Sequence, residues 1–236
     1  RCLGSEIVAT MKDYGLSQEE RDRVLTFEGY GNKSAPYWFL GMEESSDSIE
    51  ELQERARSFH AVEYLHSFHA RIGLDTKYRH VPTWRVMSKL IMAMQRVSGW
   101  EEAPMAHEYQ ANELGQADGE SFLTELMPLP ARSIGEWLYP LIFPTRDQYN
   151  AEVRLRRIMW LRTEITKFHP SLVICYGKGN WLYYRNIFSD VKFSGELDKK
   201  ICVGHREQST FLLLPFLSYD LFSTSLITRI ADLFAR

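Results

Sequence analysis

The sequence predicts an α/β fold, with a mostly parallel central sheet of about four strands flanked by helices on both faces. Three observations carry this expectation. Short apolar runs bounded by turn residues recur along the chain, and amphipathic helical stretches separate them. Of the 236 residues, 44% are hydrophobic and 13% aromatic, enough to bury a sizeable core. No internal repeat, low-complexity tract or Pro/Gly/Ser-rich linker divides the chain, so residues 1–236 read as one domain.

Tyr37 to Leu40 is the first expected strand, Phe122 to Thr124 the second, Leu172 to Tyr176 the third and Phe211 to Leu214 the fourth. Lys192-Phe193 and Ile201 to Val203 are weaker runs that fit a hairpin or a loop. Helices are expected over Ser48 to His60 and Met87 to Val97. A last one spans Ser223 to Ala235, with Leu226, Ile227, Ile230, Leu233 and Phe234 on one side. Between the second and third strands, Ala151, Leu155, Ile158, Leu161, Ile165 and Phe168 recur at three- and four-residue spacing, which describes one apolar helix face opposite a face of arginines. This helix ends near His169-Pro170, because a proline restricts the residue before it. Strands separated by such helices pair in parallel, and the ligands of such sheets bind beyond the carboxyl ends of the strands.

Composition narrows the functional classes. No apolar stretch is long enough to span a bilayer and Arg1 to Ser5 has no signal-peptide core, so a cytoplasmic location is expected. Cys2, Cys175 and Cys202 are too few for a disulfide framework or a four-thiolate metal site, and Cys175 reads as core. His60, His66 and His69 lack a carboxylate or Cys in register, and Gly177-Lys178-Gly179-Asn180 lacks the spacing of a phosphate loop. Neither a metal nor a cofactor is therefore expected. No Ser-His-Asp or Cys-His arrangement is visible. A net charge of -3 exerts no global pull on nucleic acid, so a nucleic-acid face would have to come from local clusters. Arg71, Lys77, Arg79, His80 and Arg85 form one; Arg154, Arg156, Arg157 and Arg162 form another, read as a solvated face.

The strand ends point to Gly41 to Ser45, Glu125 to Ser133 and Leu217 to Tyr219 as places for chemistry. Glu44 and Asp47 read as acidic residues near the positive end of a helix, capped by Ser46 or Asp47. Glu43 stands apart. Gly41-Met42-Glu43-Glu44-Ser45 resembles the first motif of the uracil-DNA glycosylase superfamily, Gly-Met-Asn-Pro-Gly or Gly-Gln-Asp-Pro-Tyr, whose third residue positions the hydrolytic water. Phe122-Leu123-Thr124-Glu125-Leu126-Met127-Pro128-Leu129 is similar to the segment that ends in Asn-Tyr-Cys-Pro-Leu in single-strand-selective relatives. Glu125 takes the place of the Asn that reads the flipped base. Pro170 to Gly177 resembles the family's Pro-x-x-Val-x-x-x-Gly strand. Leu214-Pro215-Phe216-Leu217-Ser218 falls where the family has Leu-Pro-His-Pro-Ser, so Phe216 replaces the electrophilic His.

The resemblance implies a DNA N-glycosylase that needs no cofactor and no obligate protein partner. Glu43 would be its catalytic residue, with Glu125, Met42, Phe122 and Phe216 around the flipped base. Ser218, Tyr219, Lys178, Arg79 and Arg132 would contact DNA, and Leu217 or Leu221 would wedge into the duplex. An ionised Glu125 only accepts hydrogen bonds, which opposes the carbonyl of uracil and suits the N4 amino group of cytosine. Protonation by burial would remove that preference. Excision of plain cytosine would destroy the host genome, so the expected target is a modified cytosine. The expected class is the phage-defence glycosylases that remove glucosylated hydroxymethylcytosine from viral DNA. Removal of uracil or another deaminated base is one alternative, and a binding module without catalysis is the other, because Phe216 replaces the family His. The long insertion from His60 to Gly115 is expected to line a pocket wider than uracil needs.

Overall fold

The computed structural model describes residues 14–46, 48–133, 135–196 and 200–234. The expectations placed on Arg1 to Ser5, Cys2, Asp47 and Ala235 lie outside the described residues. All four expected strands form, as β2 (Tyr37–Gly41), β4 (Ser121–Glu125), β5 (Leu172–Tyr176) and β8 (Ser209–Leu214). They lie side by side in the order β4, β2, β5, β8 and are parallel throughout.

The sheet nevertheless has eight strands, not about four. β1 (Gly29–Gly31) pairs antiparallel with β4 and carries β3 (Val62–Glu63) outside it. At the other edge, β7 (Ile201–Arg206) and β6 (Ser194–Glu196) form an antiparallel hairpin on β8. The hairpin therefore starts at Ser194 and leaves Lys192-Phe193 outside it. The two strands beyond β4 are too short to register as apolar runs. At Gly29, where φ is +148°, a Cβ would fall on the backbone carbonyl of Leu123, so the close approach of β1 to β4 requires glycine.

Both faces of the sheet are covered. Trp38, Phe39 and Leu40 are all buried although successive strand residues point to opposite faces. Tyr37 meets Phe234 edge-on in α8 (Thr224–Phe234), whereas Trp38 packs against Phe122 and against Phe168 of α6 (Arg146–Phe168). Helices α6 and α8 therefore lie on opposite faces. The remaining helices among the described residues are α1 (Gln18–Leu25), α2 (Ile49–Ser58), α3 (Leu65–Arg71), α4 (Pro82–Met94), α5 (Ala103–Asn112) and α7 (Trp181–Ile187). The side chain of Ser48, not Ser46, caps α2 by accepting from the Glu51 amide at 3.2 Å. Helix α4 begins at Pro82, earlier than expected, with proline in the first turn where its missing N–H costs nothing.

The inward face of α6 is rotated from the expected one over its first half. Leu161 and Ile165 are buried as expected, but Leu155 is 64% exposed and Ala151 is exposed. Tyr149, Val153 and Arg157 take the inward positions. Arg157 is thus a buried residue and not part of a solvated face. Its guanidinium donates to the carbonyls of Phe27 (2.9 Å), just before β1, and of Glu125 (2.7 Å) and Leu126 (3.3 Å) at the end of β4. Arg156 and Arg162 remain exposed, and Arg154 lies over the Tyr183 ring. Cys175 is core, as expected. No helix among the described residues is long and apolar enough to cross a membrane.

Ile174 is fully buried at the centre of β5. Ile174→Ala is expected to lower stability by about 2–5 kcal/mol, read as a reduced midpoint in urea unfolding.

Candidate functional site

The carboxyl ends of the four parallel strands open into one cavity of about 660 Å3. Each strand contributes to it: Glu43 and Glu44 follow β2, Glu125 ends β4, Tyr176 ends β5 and Phe216 follows β8. This is where a sheet of this topology binds ligands, because the loops after β2 run toward β4 on one side while β5 lies on the other.

The backbone joins the first two of these segments. Beyond the paired strands, the Leu126 amide donates to the Gly41 carbonyl (3.0 Å) and the Met127 amide to the Met42 carbonyl (2.8 Å). The Ala131 amide reaches the Glu44 carbonyl at 2.8 Å. Gly41 faces Glu125 across the ladder, and a Cβ at Gly41 would fall on the Glu125 carboxyl and the Tyr176 hydroxyl. Glycine at this position makes the space in which those two side chains meet.

Five glutamates line the cavity, Glu28, Glu43, Glu44, Glu51 and Glu125, and the three at the strand ends are held differently. Both oxygens of Glu43 accept from Arg146 Nη1, at 2.8 and 2.9 Å. Arg146 Nη2 also donates to the carbonyls of Ser133 and Glu136, and its guanidinium lies over Trp137, so one arginine fixes Glu43 and the loop after β4 together. Glu44 pairs with buried Arg55, which also bonds Glu51 and the Tyr30 hydroxyl. Glu44 is therefore part of the cavity wall and not a helix-end acid.

Glu125 has no cation on its carboxyl. Its Oε1 accepts from the Tyr176 hydroxyl at 3.0 Å, while Oε2 is sealed from solvent without a partner. Burial above all, then the charges of Glu44 and Glu43, hold this carboxyl well above the usual carboxylate range, and the Tyr176 hydrogen bond only partly opposes them. Oε1 is engaged as an acceptor, so a proton on this carboxyl would sit on Oε2. Burial is the condition under which the acceptor-only preference of Glu125 was expected to lapse.

The other expected site residues divide. Phe216 is 55% exposed at the cavity lip, edge-on to Tyr176, and Arg79 lines the wall. Phe122 is excluded from the cavity: in the middle of β4 its ring points to the Trp38 face and is fully buried. The Met42 side chain packs against the core and does not line the cavity. Tyr219 is exposed and stacks on His80. Lys178 is exposed in the turn after β5 over Trp181, and Arg132 is exposed in the loop after β4; neither lines the cavity. Ser218 does not start the last helix, because Ser223 accepts the Leu226 amide there. Leu217 is core, which leaves Leu221, 51% exposed, as the outward leucine of that loop.

The segment from His60 to Gly115 does line the cavity, through Leu74, Thr76, Arg79, Thr83, Trp84 and Met87 among others. Buried Gln110 of α5 anchors this wall. Its amide nitrogen donates to the Arg79 carbonyl (3.0 Å), its amide oxygen accepts from Arg85 Nε (2.6 Å) and its carbonyl accepts from His66 Nε2 (2.7 Å). Among the described residues, no group of three or more His, Cys, Asp or Glu side chains is placed to hold a metal ion.

Sequence reasoning missed Arg146, Tyr176, Arg55 and Arg157. Tyr176 was within reach, as the last residue of an expected strand. Arg146 gave a subtler signal: an arginine opening a helix sits at the end where the dipole disfavours cations, so something else must hold it there. No protein-family model matches the chain, and no curated protein matches it.

Below pH 4.5, the usual value for a glutamate, Glu125 is protonated in both folded and unfolded chains. As pH rises above it, the unfolded chain ionises while the folded one resists, so stability falls until the raised folded pKa is passed. Glu125→Gln escapes this loss. Its stability relative to the parent, from urea unfolding at stepped pH, is expected to rise between pH 4.5 and 7 by up to about 1.4 kcal/mol per pH unit. A difference independent of pH would show that the carboxyl is charged in the folded protein.

Proposed function

We propose that the chain is a DNA N-glycosylase that draws a flipped, modified cytosine into the strand-end cavity and hydrolyses its glycosidic bond. One observation carries this reading: a single cavity unites a carboxyl paired with an arginine, Glu43, and a carboxyl without a cation partner whose pKa burial raises, Glu125. Paired carboxyls with opposed protonation are the usual equipment for cleaving a glycosidic bond.

A base inside a duplex is out of reach of a buried carboxyl, so the nucleotide must leave the stack. Bond cleavage leaves an oxocarbenium-like sugar. Glu43 then has two duties, to orient the attacking water and to face the developing positive charge. A carboxylate offers about four acceptor directions and Arg146 occupies two, which leaves others for water. The Glu125 carboxyl, whose Oε2 is sealed from solvent, would have to turn its O–H into the cavity to donate to an acceptor on the base edge and so stabilise the electron pair that the leaving base takes away. The exposed ring of Phe216 offers a stacking surface. Arg79, Tyr219, Lys178 and Arg132 are the proposed contacts to the DNA.

The choice of base rests on room. A bare pyrimidine fills a small part of about 660 Å3, and the insertion contributes a whole wall. Both support a bulky substituent, as in glucosylated hydroxymethylcytosine of phage DNA. A second reading, excision of uracil, is favoured by the burial that raises the Glu125 pKa, because a protonated carboxyl suits a carbonyl.

Duplexes containing uracil, cytosine, hydroxymethylcytosine or its glucosylated form, treated with protein and then alkali, test this reading. Strand breaks are expected at the glucosylated base. Glu43→Gln should slow cleavage by about 100-fold or more while DNA binding persists. Breaks only at uracil would establish the second reading, and binding without breaks at any base would establish a binding module.

A further inference from the structure

His69 is buried in α3, one turn from Leu65, and its ring is wedged among Phe68, Trp84 and Tyr30. Its Nδ1 lies 2.5 Å from the Leu65 carbonyl oxygen. A carbonyl only accepts, so Nδ1 carries the proton and the tautomer is fixed. Burial, opposed by Glu44, lowers the ring's pKa below its ordinary value, which keeps the imidazole neutral and leaves a lone pair on Nε2. Among the described residues Nε2 has no protein partner, yet it is not among the atoms sealed from solvent, and the residue forms part of the cavity wall. His66, one turn away, differs: its nitrogens are taken by Thr76 and the Gln110 carbonyl. The charged groups nearest His69 are also committed, since Glu44 and Glu51 are bound to Arg55.

We infer that His69 Nε2 is a ligand-reading acceptor, which takes a hydrogen bond from a hydroxyl or exocyclic amino group carried by the base in the cavity. The inference rests on reading the cavity as a base pocket. It places an acceptor, from His69, in the insertion wall of a pocket whose lining also includes the end of β4. A base without an exocyclic donor would desolvate Nε2 and leave it unpaired, a cost that a donor-bearing base avoids.

The imidazole nitrogens of the full chain, labelled with 15N, report both halves of this inference. In the free protein Nε2 of His69 is expected to be unprotonated and Nδ1 protonated. On titration, the Nε2 resonance is expected to shift with 1-methylcytosine, which carries an amino group, and with 5-hydroxymethyl-1-methyluracil, which carries a hydroxyl, but not with 1-methyluracil. His69→Asn keeps a donor for the Leu65 carbonyl and lacks Nε2. It should lose about tenfold in affinity for the first two bases and nothing for the third. His69→Gln, which returns a polar atom near the Nε2 position, should recover part of the loss. A protonated Nε2, an equal response to all three bases or no response to any of them overturns the inference. If Nε2 responds as expected while none of the modified duplexes yields an abasic site, the glycosylase reading fails and the role of His69 stands.

Discussion

A buried carboxyl without a cation partner at the junction of three parallel strands is the constraint around which this cavity is organised. A charged Glu125 would need a cation or several donors at the end of β4, and the space is given instead to Gly41 and to the Tyr176 hydroxyl. The nearest arginine, Arg157, is spent on backbone carbonyls, including that of Glu125 itself, and so supports the strand end without pairing with the side chain. Such surroundings favour the protonated form, since an unpaired buried charge costs on the order of several kcal/mol. Glu43 pairs with Arg146, and Glu44 pairs with Arg55, which also serves Glu51. Three acidic groups therefore meet at the strand ends, two with guanidinium partners and one whose pKa burial raises.

Much of the sheet was legible in the sequence. The four parallel strands are buried on both faces, so they read as unbroken apolar runs whichever way their side chains point. The edge strands escaped because they are short: Val62–Glu63 and Gly29–Gly31 are defined by their partners and not by their own pattern. Helix α6 shows the opposite failure. Its apolar spacing was real, yet Arg157 occupies the core side because buried carbonyls demand donors there, and the pattern follows hydrophobicity alone.

The site divides along the same line. Glu43 and Glu125 were legible because the ends of parallel strands are where such sheets bind ligands, and local sequence marks those ends. Phe122 was misplaced because one residue along a strand reverses the face, and the strand's exact register is set by its pairing with Trp38. Neither the Arg146 partner of Glu43 nor the charge state of Glu125 is written locally. The first joins residues 103 positions apart, and the second depends on burial created by three strands at once.

The wall built by the insertion is tied down from behind. Gln110 grips the Arg79 backbone, Arg85 and His66 from α5, a helix outside the cavity lining, while the acids are held by β2, β4 and the start of α6. The wall thus has an anchor of its own in α5, in addition to the β3 strand that joins it to the sheet. Substitutions that face the cavity from this wall can therefore reshape the opening while the Gln110 anchor behind it stays in place.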